Sequence, residues 1–439
     1  MYIPVYLWTA RNPTSAPVFP PLPCCRVRIF ILWFLPLWFR SAEFSEPYPD
    51  RPGSRASFTD RDPACRKTTG MRAGMQSLLS VLRGAAGHRA FDDGEWPALL
   101  GVAGEENVLP WVAGRLRLGD AALTPQQQGQ LAEIQREAQF SAFVWTAALK
   151  SLLAAFHQAS VPVIALKGPC LGQRLYGDAS LRAYADLDLL VRMPDLGRAE
   201  DLLAQLGFHP GSLGDDYHRP WQHNAIRLEL HHHVENPRAF PFQLEAAWTR
   251  AQLSRFEGVP VWHLAPPDEL LYLCLHAVHH RFDRLGLLVD LGLAFRRLVP
   301  AADAAPSAHF AALDNVAALG WMMAARLDPQ TPNPLALHLQ PRDRARLEQL
   351  ADRLWQERMI EPAPWLDWAA QHRFYVEVEN PGWSRLLRRC NHLWILRGRL
   401  IDADYAFAAR FHLRRKWQVR LLRPIRLLLK RRRAAASLG

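Results

Sequence analysis

Between residues 75 and 160 the apolar positions recur at threes and fours. MQSLLSVLRGAAG (75–87) reads as one short amphipathic helix, and EWPALLGVAGEENVLPWVAGRLR (95–117) supplies two more, punctuated by Pro97 and Pro110. Leu131, Ile134, Ala138, Ala142, Trp145, Leu149, Leu152 and Phe156 continue the period and predict a packing helix from Pro125 to Ala159. The period then shortens. VPVIALKG (161–168) is β-branched, apolar and closed by Gly168, which predicts a strand. PCLGQRLYGD (169–178) follows as a short helix with Pro169 in its first turn. AYADLDLLV (183–191) is a second strand, MPDLGRAEDLLAQLG (193–207) a helix stopped by Gly207, and HNAIRLELHHHV (223–234) a third, alternating strand. From Pro266 helices return. Residues 267–298 read as two helices broken near Arg284 to Gly286, and RDRARLEQLADRLWQERM (342–359) as an exposed, charge-laced helix.

This order predicts an α+β chain. A small mixed β-sheet core at 161–265 is flanked by an N-terminal helical segment at 75–160 and a C-terminal helical domain at 266–409. The first seventy residues hold eleven of the 34 prolines and sustain no period, so 1–74 reads as a disordered or over-extended N-terminus, with Met71 and Met75 as alternative starts. Its apolar run at 29–39 is broken by Pro36 and is too short to span a bilayer.

Charge changes the picture only at the ends. The net charge of +11 comes from 53 basic and 42 acidic residues. Eleven basic and no acidic residues stand between Arg410 and Arg433, and residues 1–74 carry ten basic against five acidic ones, so the body of the chain is net acidic. Nucleic-acid binding by that body is not implied by the overall basicity. The basic tail at 410–439 interleaves Trp417, Leu421, Leu422 and Ile425 with arginines, a pattern suited to a weak contact with an acidic membrane surface or RNA. Of the six cysteines, Cys170, Cys274 and Cys390 lie far apart in the body with no metal-ligand spacing, which points to a reducing, cytoplasmic setting.

The candidate chemistry sits in YADLDLLV. Residues i and i+2 of a strand point to one side, so Asp186 and Asp188 are neighbours among apolar residues. Two carboxylates so close repel, and one stays protonated unless a cation neutralises them. Magnesium is the natural cation for carboxylate oxygens that also serve phosphates. Glu229, between Leu228 and Leu230, is a third acid that can face the same pocket if its strand pairs alongside. Lys167 and Gly168 end the first strand and open a helix, a place where backbone N–H groups can approach a phosphate. Arg182, four residues before Asp186, can hold a phosphate by a bidentate contact. The competing reading pairs the aspartates with Arg182 or Arg192 as structure alone. His231, His232 and His233 offer no fourth ligand at zinc spacing; His276 and His280, on one helix face, read as packed or substrate-lining, and Asp290 as a cap or a partner of a histidine.

The series ALKGPCLGQRLYGDASLRAYADLDLLV (165–191), with LELHHHV and LYLCLHAVHHRFDRLGLLVDLGLAF downstream, resembles a poorly characterised nucleotidyltransferase family of the polymerase-β-like superfamily. The likeness spans about 76–300 and is densest at 165–191. It implies a nucleotidyltransferase core that moves a nucleoside monophosphate from an NTP to a hydroxyl acceptor with Mg2+ or Mn2+. It implies that Asp186, Asp188 and Glu229 are the catalytic, metal-holding acids and that Lys167 and Gly168 line the phosphate side, where the bidentate contact read for Arg182 would complete the nucleotide-binding set. The superfamily usually places a Gly-Ser or Gly-Gly pair where this chain has Lys167–Gly168. Two rival readings keep the same residues: a toxin-type nucleotidyltransferase of a toxin–antitoxin system acting on RNA or protein, and an inactive nucleotide-binding or scaffold protein.

Overall fold

The computed structural model describes residues 69–360, apart from 86, 88, 120, 212–216, 236, 238–239, 299–312 and 334–338, together with scattered positions between 374 and 426. The chain divides into two units, Met1–Asp60 and Arg61–Gly439. The first unit, and with it most of the N-terminal expectation, lies outside the described residues, as does nearly all of the basic tail.

Helices α1 (Thr69–Leu82), α2 (Glu95–Glu105), α3 (Leu109–Leu118) and α4 (Pro125–Gln158) precede the sheet. The first begins earlier than its pattern predicts and contains both Met71 and Met75. Helix α4 has 34 residues, about 50 Å. Its start is written at Thr124, whose Oγ1 accepts the Gln127 N–H at 3.2 Å while Gln127 Oε1 accepts the Thr124 N–H at 3.0 Å. Pro125 fills the first helical position, where no N–H is needed. The helix is long and apolar enough to cross a membrane, but Leu149, Leu152, Leu153 and Phe156 in its C-terminal half are buried against the sheet.

The sheet has seven strands: β1 (Ile164–Ala165), β2 (Leu187–Leu190), β3 (His209–Pro210), β4 (His218–His223), β5 (Ile226–His231), β6 (Gln252–Phe256) and β7 (Val259–His263). Their order is β3-β4-β5-β2-β1-β7-β6. Pairs β2–β5 and β1–β7 are parallel and the other four antiparallel, so the sheet is mixed, as expected for the α+β class. Between strands come α5 (Gly168–Tyr176), α6 (Leu196–Gln205) and the short α7 (Leu244–Arg250). The paired strands are shorter than their sequence patterns. Only Leu187–Leu190 pairs within 183–191, so Asp186 stands one residue outside β2 rather than within it. The 223–234 pattern spans a hairpin: His223 ends β4, Asn224 turns with φ +52°, and β5 begins at Ile226.

Alternation gives the sheet two dressed faces. On one, Val163, Ala165, Leu187, Leu189, Leu228 and Leu230 pack against α4 and against Leu196, Ala199 and Leu203 of α6. On the other, Ile164, Leu166 and Leu190 join the cluster built by α5 and by α8 (Pro266–His279), α9 (Leu285–Arg297), α10 (Asp314–Leu327) and α11 (Pro341–Ile360). The break between α8 and α9 falls at 280–284, where Arg281 and Phe282 take positive φ. Helix α11 is not the wholly exposed helix its charges predict: Leu347, Leu350, Ala351 and Leu354 bury one face at fours and threes.

Candidate active site

Asp188 shares the face of Leu190, the one turned toward α8. In the parallel β2–β5 pair it lies directly opposite Glu229, and Leu190 lies opposite His231. The period of two then brings Asp188, Glu229 and His231 to the same side. One ligand atom from each lies within 4.8 Å of the others. His231 Nε2 sits 3.1 Å from Asp188 Oδ1 and 3.3 Å from Glu229 Oε2, bridging the two carboxylates. His218, on β4, stacks on His231 with ring centroids 5.2 Å apart and places Nε2 3.7 Å from Glu229 Oε1.

Lys167 enters from the end of β1. Its Nζ lies 3.0 Å from Asp188 Oδ1 and 3.4 Å from Nε2 of His276 on α8. The next residue, Gly168, has φ +69°, where an L side chain is strained, and a Cβ there would stand 3.3 Å from Leu187 Cδ2. That backbone turn is what lets β1 run straight into α5 beside Asp186, whose carbonyl oxygen is 3.8 Å from the same Cβ position. Arg227 donates from Nε to the carbonyl of Ala185 at 3.2 Å and so clasps the turn that carries Asp186.

The charges are consistent with this geometry. Burial disfavours a charged Asp186, and the Asp188 carboxylate adds repulsion, together pushing Asp186 up to about 6. Burial opposes charge on Asp188 too, but Lys167 and the hydrogen bond from His231 outweigh it and hold that carboxyl below its ordinary value. Glu229 is held low as well, where the His231 hydrogen bond and His218 overcome burial. His231, which burial alone would keep neutral, is raised to about 9 by hydrogen bonds to Asp188 and Glu229. Two adjacent aspartates are thus tolerated by an unequal split: one ionised against a lysine and a histidine, the other inclined to keep its proton.

These residues fit a divalent cation. Asp188 Oδ2 is buried with no hydrogen-bond partner, a carboxylate oxygen left for a ligand. Carboxylate oxygens from two strands with an imidazole beside them form a suitable donor set. Among the described residues no other cluster of this kind is present.

Arg182, expected on the nucleotide side, is engaged by a carboxylate. It forks onto Asp290 of α9, with Nε 3.0 and 3.1 Å from the two carboxylate oxygens and Nη2 2.9 Å from Oδ2. Tyr176 donates its hydroxyl to the same Oδ1 at 2.6 Å. Burial and the neighbouring Asp290 push that phenol well above its ordinary range, so it remains a donor. Asp290 therefore pairs with an arginine and a tyrosine, not with a histidine. In the sequence His231 stands out only as part of a histidine run without a fourth zinc ligand, and nothing marks His218, whose neighbourhood depends on the β4–β5 hairpin.

The sequence profile of a family described as uncharacterised nucleotidyltransferase matches residues 92–322, more than half of the chain. No curated protein matches it. Two solved structures resemble part of it. The crystal structure of ANT(2″)-Ia in complex with adenylyl-2″-tobramycin is 16% identical and covers 35% of this chain and 88% of that one, with a TM-score of 0.28. The solution structure of the antibiotic-resistance factor ANT(2″)-Ia is 17% identical and covers 39% and 96%, with a TM-score of 0.30. The matched span runs from just before α2 into α10 and takes in every side chain of the site just described, and on that match the chain belongs to the uncharacterised nucleotidyltransferase family.

Proposed function

We propose that this nucleotidyltransferase is magnesium-dependent and moves a nucleoside monophosphate from an NTP to a hydroxyl acceptor. The observation that carries the reading is the in-register opposition of Asp188 and Glu229, with Asp188 Oδ2 buried and unpartnered and Lys167 Nζ 3.0 Å from Oδ1 of the same carboxylate. Asp188 and Glu229, with Asp186 at the mouth of β2, are the residues assigned to hold the cation. Magnesium, or manganese in its place, would there acidify the acceptor hydroxyl and offset charge on the triphosphate.

The chain's own groups do the rest. Lys167 supplies a buried positive charge on the phosphate side, and the open turn at Gly168 brings the first N–H groups of α5 toward the triphosphate. His231 holds the Asp188 and Glu229 carboxylates in mutual orientation. In the transfer, the acceptor oxygen bonds to the α-phosphorus, the bond from that phosphorus to the bridging oxygen breaks, and pyrophosphate leaves. The hydroxyl proton is lost to solvent.

The test is incubation with each NTP, labelled in turn at the α- and γ-phosphate, with Mg2+ or Mn2+ and cell extract. The α-label is expected to enter an acceptor and the γ-label to leave as pyrophosphate. Asp188→Asn is expected to cut transfer by about a hundredfold or more, the scale of losing one group that offsets transition-state charge. Transfer by Asp188→Asn at the wild-type rate would end this reading.

A further inference from the structure

Lys167 Nζ lies in the sheet-facing interior, its side chain 10% exposed, between a carboxylate oxygen at 3.0 Å and an imidazole nitrogen at 3.4 Å. An ammonium group has three N–H donors arranged tetrahedrally. Asp188 takes one and His276 takes a second, so the direction of the third is set. We infer that His276 is a positioning residue for Lys167, fixing the ammonium so that its remaining N–H addresses the triphosphate. The inference rests on the nucleotidyltransferase reading above and adds to it a residue more than a hundred positions away in sequence.

His276 is suited to the task by its surroundings. Its Nε2 can accept from Lys167 only when the ring is neutral, and burial, followed by the Lys167 charge, keeps the ring well below its ordinary proton affinity. The ring is held from both sides along α8: His280, one turn on, meets it edge-on with centroids 4.6 Å apart, and Tyr272, one turn back, lies at 6.2 Å. A contact of 3.4 Å is at the long end for a hydrogen bond. Such an acceptor directs the ammonium without drawing it off Asp188. With His276 gone, Asp188 would be the one remaining partner of Nζ among the described residues, and the ammonium would be free to collapse onto the carboxylates at the expense of the phosphate.

The measurement is calorimetric binding of inorganic tripolyphosphate to the full-length chain at saturating Mn2+. His276→Leu, which fills the space without an acceptor, is expected to bind about tenfold more weakly, the effect of losing one hydrogen bond to a charged group. His276→Gln, which restores an acceptor near Nε2, is expected within about threefold of wild type. In a Lys167→Met background, His276→Leu should add less than about twofold, since the group it positions is gone. Melting temperatures report folding, and His276→Phe replaces the leucine variant if that one fails to fold. Wild-type affinity in the leucine variant, equal losses in the leucine and glutamine variants, or an undiminished effect in the Lys167→Met background would each overturn the inference while leaving the transferase reading in place. A wild-type chain that takes no tripolyphosphate at all would overturn both.

Discussion

His263 ends β7 with its side chain in the interior, 5% exposed, and its Nδ1 has no hydrogen-bond partner. Burial, and then the Arg174 charge, lowers its proton affinity to about 4. The unfolded chain binds that proton near the ordinary imidazole value of about 6.5. The folded state is therefore favoured above pH 6.5, and the advantage is lost as pH falls from there through 4. His263→Phe keeps a ring and removes the titration. Unfolding free energies measured by urea between pH 8 and pH 4 should fall less steeply in the variant, by on the order of 2–3 kcal/mol across that range. Parallel pH profiles for the two proteins would refute it. At this scale the sequence was most readable where chemistry and backbone coincide. Asp188, Glu229 and Gly168 stand out because an acid within an apolar strand and a glycine at a strand–helix junction are both costly without a reason. His276 and Asp290 could not be placed, because their partners Lys167 and Arg182 lie 109 and 108 residues away and nothing local records the pairing.

Helices α5 and α9 are joined by one buried polar contact. Tyr176 from the end of α5 and Arg182 from the turn before β2 both close on Asp290 in α9, with the arginine and aspartate side chains 11% and 7% exposed. An ion pair this enclosed contributes little over an apolar replacement, but breaking it from one side strands a charge. Asp290→Asn should therefore cost about 3–5 kcal/mol in urea unfolding, whereas Arg182→Met with Asp290→Leu should recover most of that loss. Equal losses in the single and double variants would show that the contact does not depend on the pairing of charges. Elements were legible in proportion to their burial pattern. Helix α4 appeared within a residue of its bounds because its apolar period is long and Thr124, Pro125 and Gln127 announce its start. The β6–β7 hairpin passed unseen: four of the five residues of β6 face solvent, so no alternation survives, and only Glu257 and Gly258, at φ +49° and +82°, mark the two-residue turn. β4 was hidden by Pro220 and by its histidines, which read as loop until β5 pairs with them.

Taken across the whole second unit, the candidate site is where separate layers meet. Lys167 and Gly168 come from the β1–α5 junction, Asp188 from β2, Glu229 and His231 from β5, and His276 from the helical layer beyond. The backbone repeats the connection, since the Leu166 N–H donates to the Asp188 carbonyl at 3.0 Å and the Val191 N–H to that of His231 at 2.9 Å. A cation held by Asp188 and Glu229 would tie β2 to β5 and offset the burial and the Asp188 repulsion that together push Asp186 up to about 6. Binding of this kind stabilises the folded state by mass action, about 2.7 kcal/mol when free Mn2+ reaches a hundred times its dissociation constant. Thermal unfolding should therefore shift upward with added Mn2+ and return with chelator. Glu229→Gln, which replaces one of the two directly opposed carboxylates with a neutral amide, should lose most of the shift. The amides of Leu166 and Val191 should exchange with deuterium more slowly in the Mn2+ form, because the strands they bridge carry the ligands. A Mn2+-induced shift of equal size in Glu229→Gln would place the cation elsewhere on the molecule, and with it the assignment of these acids as the metal centre would fall.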